Sequence, residues 1–173
     1  MCSSDLLGAS YGIYGPAYEL MEHRPISPGK EEYRNSEKYE IRHWNLGDPR
    51  SLAPFVAAVN RIRHDHPALH GNQSLVFHPV TNDSLIAYSK ATADGSDVVL
   101  TVVNLDPRHR QSGWVHLLLD DLGAPRDEPF AVEDLLTGAR FVWRGSANFV
   151  ELDPSILPAH ILRVGSGESP GTA

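Results

Sequence analysis

The run Val98-Val99-Leu100-Thr101-Val102-Val103-Asn104 is the strongest strand signal in this chain. Its β-branched and apolar side chains are the kinds that pack best on a pleated sheet surface. Turn-forming residues stand on both sides of the run, with Asp94-Gly95 before it and Asp106-Pro107 after it. We therefore predict a strand over residues 97–104, which needs neighbouring strands to satisfy its backbone hydrogen bonds.

Seven further strands are predicted on the two sides of this run. They cover residues 74–79, 85–90, 113–119, 130–136, 139–143, 147–152 and 160–164. The stretch 113–119 alternates as a half-buried strand does. It places Trp114 and His116 on one face and Val115 and Leu117 on the other. Many short strands separated by turn signals are typical of an antiparallel sandwich or barrel.

The first 50 residues differ from this pattern because they are rich in tyrosine and charge. They open with an apolar, glycine-punctuated run over residues 6–15, which predicts a buried strand that ends in a tight turn at Gly15-Pro16. A proline-containing loop and a polar stretch over residues 31–42 follow. Long polar loops after a buried strand are usual places for ligand contacts.

The clearest helix is predicted over residues 51–66. Ser51 is a suitable N-cap, and Pro54 falls in the first turn, where a missing N–H does no harm. Pro67 ends the helix. Apolar residues recur at helical spacing and form one stripe, which consists of Leu52, Phe55, Val56, Val59 and Ile62.

Composition narrows the class of protein. The chain has 173 residues, of which 41% are hydrophobic and 21% charged, as in ordinary globular domains. A formal net charge of -7 argues against nucleic acid and against anionic membrane surfaces, because both attract basic proteins. The sequence shows neither a membrane-spanning stretch nor a secretory signal, so we expect a cytoplasmic protein.

Metal sites and nucleophilic active sites are not indicated. The single cysteine, Cys2, excludes an internal disulfide framework and a cysteine-based zinc site. His64 and His66 lie two residues apart on the predicted helix, so they point to different faces, and no HExxH spacing occurs. The sequence contains no G-x-S-x-G nucleophile elbow and no phosphate-binding glycine loop.

Tyrosines and carboxylates are concentrated near the start of the chain. Five of the six tyrosines lie in the first 39 residues. They are accompanied by many glutamates, and the combined set is Tyr11, Tyr14, Tyr18, Tyr33, Tyr39, Glu19, Glu22, Glu31, Glu32, Glu37 and Glu40. Sugar rings present apolar C–H faces and a rim of hydroxyls, which aromatic rings and carboxylates match. The alternative is an ordinary polar loop whose tyrosines pack on a neighbouring domain.

Five stretches carry a resemblance to a known family. They are ASYGIYGPAYEL at residues 9–20, PGKEEY at 28–33, NSEKYEIR at 35–42, VNRIRHDHPAL at 59–69 and NDSLIAYSK at 82–90. Together they resemble the C-terminal part of the α-1,4-glucan:maltose-1-phosphate maltosyltransferases, bacterial members of glycoside hydrolase family 13 in the α-amylase superfamily. The resemblance runs from about residue 7 to about residue 164, and the block 11–42 is specific to this enzyme family.

The resemblance implies an α+β fold class. Residues 1–69 would be the end of a catalytic (β/α)8 barrel, with its last strand at 7–14, its mouth loop at 15–42 and its last helix at 51–66. Residues 70–165 would form an all-β antiparallel C-terminal sandwich, and residues 166–173 a disordered tail. Residues 1–6 have no family counterpart that we identify, which indicates a truncated gene or an excised piece. Without the rest of the barrel, the first strand and the helix stripe are expected to form an exposed apolar patch.

The implied activity is retaining transfer of a maltosyl group from α-maltose 1-phosphate to the non-reducing end of an α-1,4-glucan. It uses an aspartate nucleophile, a glutamate acid/base and a second aspartate, and it needs no metal or organic cofactor. These three carboxylates belong to motifs upstream of this chain. None of Asp5, Glu19, Glu22 or Glu37 takes their roles, so the chain alone is expected to be inactive. Family members are expected to be homodimers.

The resemblance also implies substrate-binding residues. Lys38 and Tyr39 of the Ser-Glu-Lys-Tyr motif would hold the maltosyl group in the donor subsites, with Glu37 as a third candidate. Tyr14 and Glu19 would follow the last barrel strand and either contact the ligand or orient the mouth loop. Three alternatives stay open: Lys38 as a solvated loop lysine, a stand-alone carbohydrate-binding sandwich, and the tail of a plain α-amylase-type hydrolase.

Overall fold

The computed structural model describes residues 6–165 of the chain. The predictions that concern Cys2, Asp5 and most of the unmatched leader, and those for the tail at 166–173, lie outside the described residues. Two compact units are present. One is Gly12–Asn60, and the other consists of residues 6–11 together with 61–165.

Helices are few and strands are many. The helices are α1 (Gly15–Glu19), α2 (Ala53–Asp65), a 3-10 helix (Pro67–His70) and α3 (Leu119–Leu122). The strands are β1 (Val76–His78), β2 (Leu85–Ala91), β3 (Val98–Asn104), β4 (Gln111–His116), β5 (Pro129–Asp134), β6 (Arg140–Arg144), β7 (Ala147–Leu152) and β8 (Ala159–Val164). The eight strands predicted between residues 74 and 164 are confirmed, with bounds that agree to within a few residues.

The strands form two antiparallel sheets. Six strands lie in the order β1-β2-β3-β8-β5-β6, and β4 pairs with β7 in a separate two-stranded sheet. One core joins them, because Leu100 and Leu162 of the larger sheet cluster with Val115 and Val150 of the smaller sheet. All four of these side chains are at most 5% exposed. The predicted antiparallel sandwich is therefore confirmed.

The central strand β3 is buried on both faces. Its Leu100 face points into the sandwich core, while the 3-10 helix contacts β2 and β3 on the other side. Ala68 and Leu69 of that helix are almost fully buried. A strand covered on both faces has no reason to alternate polar and apolar residues, which explains its continuous apolar run.

The predicted strand over residues 7–14 is wrong. Leu6 and Leu7 are helical instead, and residues 10–14 have no regular structure. The physical reason is pairing: a barrel strand is hydrogen-bonded on both sides, and the strands described here all pair within the two sandwich sheets. The tight turn expected at Gly15-Pro16 is also replaced, because helix α1 begins there with proline in its first turn.

Helix α2 forms where the sequence predicted it. The Ser51 hydroxyl accepts a hydrogen bond from the backbone N–H of Ala53 at 3.2 Å, as an N-cap does. Val56, Val59 and Ile62 of the stripe are at most 7% exposed. The expectation that this stripe forms an exposed patch is therefore wrong. Within residues 6–165, no helix is both long and apolar enough to cross a bilayer.

Candidate functional site

The three predicted substrate-binding residues lie in one loop, residues 22–44, inside the Gly12–Asn60 unit. A short hairpin organises the first half of this loop. The N–H of Ile26 donates to the carbonyl of Glu32 at 2.8 Å, and the N–H of Arg34 donates to the carbonyl of Arg24 at 2.7 Å. Gly29 lies near the tip with a φ of 77°, which favours glycine at that turn.

Glu37 is the centre of a hydrogen-bonded cluster in the second half of the loop. The Tyr33 hydroxyl donates to its Oε2, and the Trp44 indole N–H donates to its Oε1 at 2.9 Å. The hydrogen bond from Tyr33 is the largest cause of the lowered pKa of Glu37. The same bond raises the pKa of Tyr33 to about 12. Both carboxylate oxygens of Glu37 are thus engaged within the loop, which fits a role in positioning the loop.

Arg42 closes this cluster on a second side. Its Nη2 donates to Oε2 of Glu22 at 3.0 Å, and both side chains are largely buried. The guanidinium carbon lies 4.1 Å from the ring centroid of Trp44 and 5.5 Å from that of Tyr33, in cation–π range. The N–H of Arg24 and the guanidinium of Arg42 lower the pKa of Glu22. Arg42 therefore connects Glu22, at the start of the loop, with the rings of Tyr33 and Trp44.

Lys38 and Tyr39 lie on the exposed side of the loop, and both contact the carboxylate of Glu32. Nζ of Lys38 lies 3.4 Å from Oε1 of Glu32, and the Tyr39 hydroxyl donates to Oε2 of the same carboxylate at 3.3 Å. The ammonium also lies 4.9 Å from the Tyr39 ring centroid. The Tyr39 hydroxyl and the Glu32 carboxylate raise the pKa of Lys38, so the ammonium stays charged at neutral pH.

This pair has the chemistry of a sugar contact. The Lys38 side chain is 66% exposed and Tyr39 is 60% exposed. An ammonium offers three donors to sugar hydroxyls, and a tyrosine offers a ring face and a hydroxyl. The structure therefore brings Lys38 and Tyr39 together as an exposed pair, whereas Glu37 turns inward to Tyr33 and Trp44.

Sequence reasoning missed the residues that organise this loop. Arg42 and Trp44 were not singled out, and Glu22 was named only as one of many glutamates, although these three residues hold the cluster together. The richness in aromatic and acidic residues was a usable signal, but it does not say which groups meet. Of the remaining candidates, Tyr14 is 64% exposed, and the Glu19 carbonyl accepts the N–H of Leu52 at 2.7 Å.

A cleft of about 460 Å³ lies beside the cluster in the same unit. Its walls include Glu22, Arg24, Asp48 and Arg50. Arg50 is paired with Asp48 at 2.8 Å, and its guanidinium and N–H lower the pKa of Asp48 to about 2. Among the described residues, no group of three or more histidine, cysteine, aspartate or glutamate side chains is placed to hold a metal ion.

Tyr33 should still be protonated at pH 10.5, where an ordinary tyrosine is more than half ionised. The reason is the carboxylate of Glu37, which accepts a hydrogen bond from the Tyr33 hydroxyl in the folded loop and raises the pKa of Tyr33 to about 12. The measurement is a titration of the tyrosine ring carbons by NMR, with Tyr33→Phe to assign the resonance. Glu37→Gln should bring the midpoint back toward the ordinary value of about 10, and a midpoint for Tyr33 near 10 in the unchanged chain would contradict the contact.

Comparison with known proteins gives one family and a set of close relatives. The family described as "GLGE, C-terminal" matches residues 77–164, about half of the chain. The α-1,4-glucan:maltose-1-phosphate maltosyltransferase of Chlorobaculum tepidum is 49% identical over 164 residues, which cover 91% of this chain and 24% of that protein. The proteins of the same name from Methylacidiphilum infernorum and Salinibacter ruber are 42% and 43% identical, again over 91% of this chain and 24% and 23% of theirs.

The extent of these matches shows which part of the relatives this chain corresponds to. The chain spans about a quarter of the length of the curated relatives. A match that covers 91% of the chain also leaves too few residues uncovered to omit the loop 22–44, so the likeness includes the site as well as the strands.

A solved structure supports the fold. The alpha-amylase from Geobacillus thermoleovorans, complexed with acarbose, has a TM-score of 0.55 to this chain at 14% identity. The likeness covers 79% of this chain and 27% of the amylase. At that identity it concerns the fold alone.

Proposed function

This chain belongs to the family of the α-1,4-glucan:maltose-1-phosphate maltosyltransferases, and from that premise we propose that it is the C-terminal part of such an enzyme. The intact enzyme would move a maltosyl group from α-maltose 1-phosphate to the non-reducing end of an α-1,4-glucan. The observation that carries the proposal is the 49% identity to a maltosyltransferase across 91% of the chain, loop 22–44 included.

The proposed chemistry is a double displacement that retains configuration. An aspartate attacks C1 of the donor, the bond from C1 to the phosphate oxygen breaks, and phosphate leaves. The 4-hydroxyl of the glucan end then attacks C1 of the maltosyl–enzyme, gives its proton to a glutamate and releases the aspartate. We place these carboxylates in the part of the relatives that this chain does not cover. The chain alone would then be inactive.

Residues of the loop 22–44 would hold the maltosyl group during both steps. We assign Lys38 to donate hydrogen bonds to sugar hydroxyls and Tyr39 to offer its ring face, because both are exposed and anchored on Glu32. Glu37 would act as a positioning residue that holds the loop through Tyr33 and Trp44. Precise placement of such contacts matters, because only a correctly oriented donor reacts.

The domain assignment is part of the same proposal. Residues 1–69 would come from the end of the catalytic barrel and residues 70–165 from the C-terminal sandwich. A homodimer in the cytoplasm stays a prediction. The tail of a plain α-amylase-type hydrolase is the competing assignment, and the likeness to the amylase in fold alone does not favour it over the maltosyltransferases.

The proposal is tested by phosphate release from the intact enzyme. We expect phosphate from α-maltose 1-phosphate when glycogen is present, elongation of the glycogen by two glucose units at a time, and no transfer when maltose replaces the donor. The 173-residue chain alone should release none. Hydrolysis of glycogen without any use of maltose 1-phosphate would show a hydrolase and overturn the proposal.

A further inference from the structure

An aromatic side chain on the core side of the sandwich is left uncovered at the edge of the larger sheet. The register pairs Phe141 with Val132 and Trp143 with Phe130, so both rings share the face that carries the core. Val132 and Phe130 are at most 2% exposed, yet Phe141 is 40% exposed. Strand β6 is the edge strand, and the opposing sheet has only the two strands β4 and β7. The narrower sheet therefore does not fully cover the core-side face of β6.

A cleft of about 190 Å³ lies at this edge. Three aromatic residues line it, Phe141 and Trp143 from β6 and Phe149 from β7. Phe149 pairs with Trp114 on the outer face of the smaller sheet, where their ring centroids lie 5.6 Å apart and both rings are about half exposed. Phe141 and Trp143 lie on the core-side face of the larger sheet, so their rings supply the flat stacking surface of the cleft.

An oriented imidazole supplies the first polar group of the cleft. Nδ1 of His160 lies 2.9 Å from Oδ2 of Asp134, and the Asp134 carboxylate is fully buried. That carboxylate also accepts the N–H of Leu136 at 3.1 Å and the hydroxyl of Thr137 at 3.0 Å, so its position is fixed. His160 lines the cleft, and its Nε2 makes no hydrogen bond within residues 6–165. A nitrogen held in place without a partner is available to a ligand hydroxyl.

A carboxylate supplies the second polar group. Glu151 lines the cleft beside Phe149, and its side chain is 51% exposed. Arg110 approaches one of its oxygens at 3.3 Å, which leaves acceptor capacity on the other. Glu151 and the buried Asp134 make the cleft unfavourable for phosphate or another anion. The ligand that fits these groups is neutral and carries hydroxyl donors.

We propose that this cleft is a saccharide-binding site, separate from the loop 22–44, that takes one glucosyl ring of an α-glucan chain. The ring would stack on Phe141 or Trp143, and its hydroxyls would bond to Nε2 of His160 and to Glu151. The volume of about 190 Å³ is smaller than the roughly 300–1,000 Å³ of drug-sized pockets, so it fits one ring of the chain. The choice of α-glucan among saccharides rests on the proposed function, whose acceptor it is.

The experiment measures saccharide binding to the full 173-residue chain with no donor substrate present. Maltotetraose is titrated by calorimetry or by NMR, and a dissociation constant on the order of 1 mM is expected for a shallow one-ring site. Phe141→Ala should weaken binding about tenfold, because it removes the stacking face. The matched control is Val142→Ala on the same strand, whose side chain is 61% exposed on the opposite face and should leave binding unchanged.

A second saccharide and a second variant test the specificity of the site. Cellotetraose, which has the same residues in β-linkage, should bind at least tenfold more weakly. Should Phe141→Ala fail to fold, Glu151→Ala replaces it and should also weaken binding, because it removes the proposed hydroxyl acceptor from an exposed position at little cost to the fold. No binding of maltotetraose at 10 mM, or equal binding by Phe141→Ala and the unchanged chain, overturns the site. Equal binding of cellotetraose overturns its assignment to α-glucan.

The outcome is independent of the proposed enzyme activity. Phosphate release by the intact enzyme does not require this cleft, and saccharide binding by the chain does not require the donor. Failure to bind saccharide therefore leaves the proposed activity standing, and failure to release phosphate leaves the saccharide site to be judged by its own binding data.

Discussion

Replacement of Asp134 by alanine should lower the free energy of unfolding by about 3–5 kcal/mol. The side chain is fully buried, and it accepts hydrogen bonds from the Leu136 N–H, the Thr137 hydroxyl and His160. Alanine would remove the acceptor of the partly buried Leu136 N–H and His160, and a polar group left unpaired away from water costs more than the bond itself contributes. A domain with a stability of about 5–15 kcal/mol would lose a large part of it.

The measurement is chemical denaturation of the unchanged chain and the variant, with Asp83→Ala as the control. Asp83 is exposed in the turn before β2, so its loss should change stability by less than about 0.5 kcal/mol. An Asp134→Ala variant within 1 kcal/mol of the unchanged chain would show that the network contributes little.

Asp134 should also make stability depend on pH in the acid range. Burial alone would raise its pKa, but the hydrogen bonds from His160, Leu136 and Thr137 outweigh burial and lower it below the ordinary value. The folded state thus binds this proton less readily than the unfolded state. The stability contributed by the ionised carboxylate is present above the unfolded pKa of about 3.9 and is lost as pH falls through the lower folded pKa. Asp134→Asn should remove this part of the acid dependence.

Replacement of Lys38 by methionine in the intact enzyme should lower kcat/KM for maltose 1-phosphate about 10- to 100-fold. A hydrogen bond from a charged donor is worth about 1.5–3 kcal/mol, and each 1.4 kcal/mol is a factor of ten. The Lys38 side chain is 66% exposed, so its loss should leave the thermal midpoint of unfolding unchanged and act on the substrate alone. Tyr39→Phe should have a smaller effect, because it keeps the ring face and removes only the hydroxyl bonded to Glu32.

Lys30→Met is the matched control. Lys30 is an exposed lysine near the hairpin tip of the same loop, and the change removes the same charge. It should leave kcat/KM within about twofold. If Lys38→Met and Lys30→Met behave alike, Lys38 is a solvated loop lysine and the assignment of the donor contact is wrong.

Much of the sandwich could be predicted from local sequence. Strand β7 was predicted to the residue, because the segment Ala147–Leu152 is short and largely apolar and lies between turn signals. Helix α2 was predicted with its Ser51 cap for the same reason, since capping depends on residues adjacent in the chain. The incorrect strand prediction at residues 7–14 shows where prediction from local sequence fails. An apolar run is compatible with a strand, but a strand exists only when another strand pairs with it.

The candidate site was also predictable only in part. The family resemblance placed Lys38, Tyr39 and Glu37 together on the grounds of sequence alone, and the structure distinguishes their environments. Lys38 and Tyr39 are exposed and anchored on Glu32, while Glu37 is engaged by Tyr33 and Trp44. Residue spacing along an irregular loop has no fixed period, so no sequence pattern says which way its side chains turn.

By itself the sequence determined the eight strands of the sandwich, the place of helix α2 to within two residues, and the family to which the loop residues belong. These are local properties, since periodicity, caps and turns depend on residues close in the chain. Only the tertiary structure decided the strand order β1-β2-β3-β8-β5-β6, and with it the placement of β6 at an open edge. The exposure of Phe141 and the buried Asp134 beside His160 follow from that order. Burial depends on what packs against a residue from distant parts of the chain, and no local pattern contains that information.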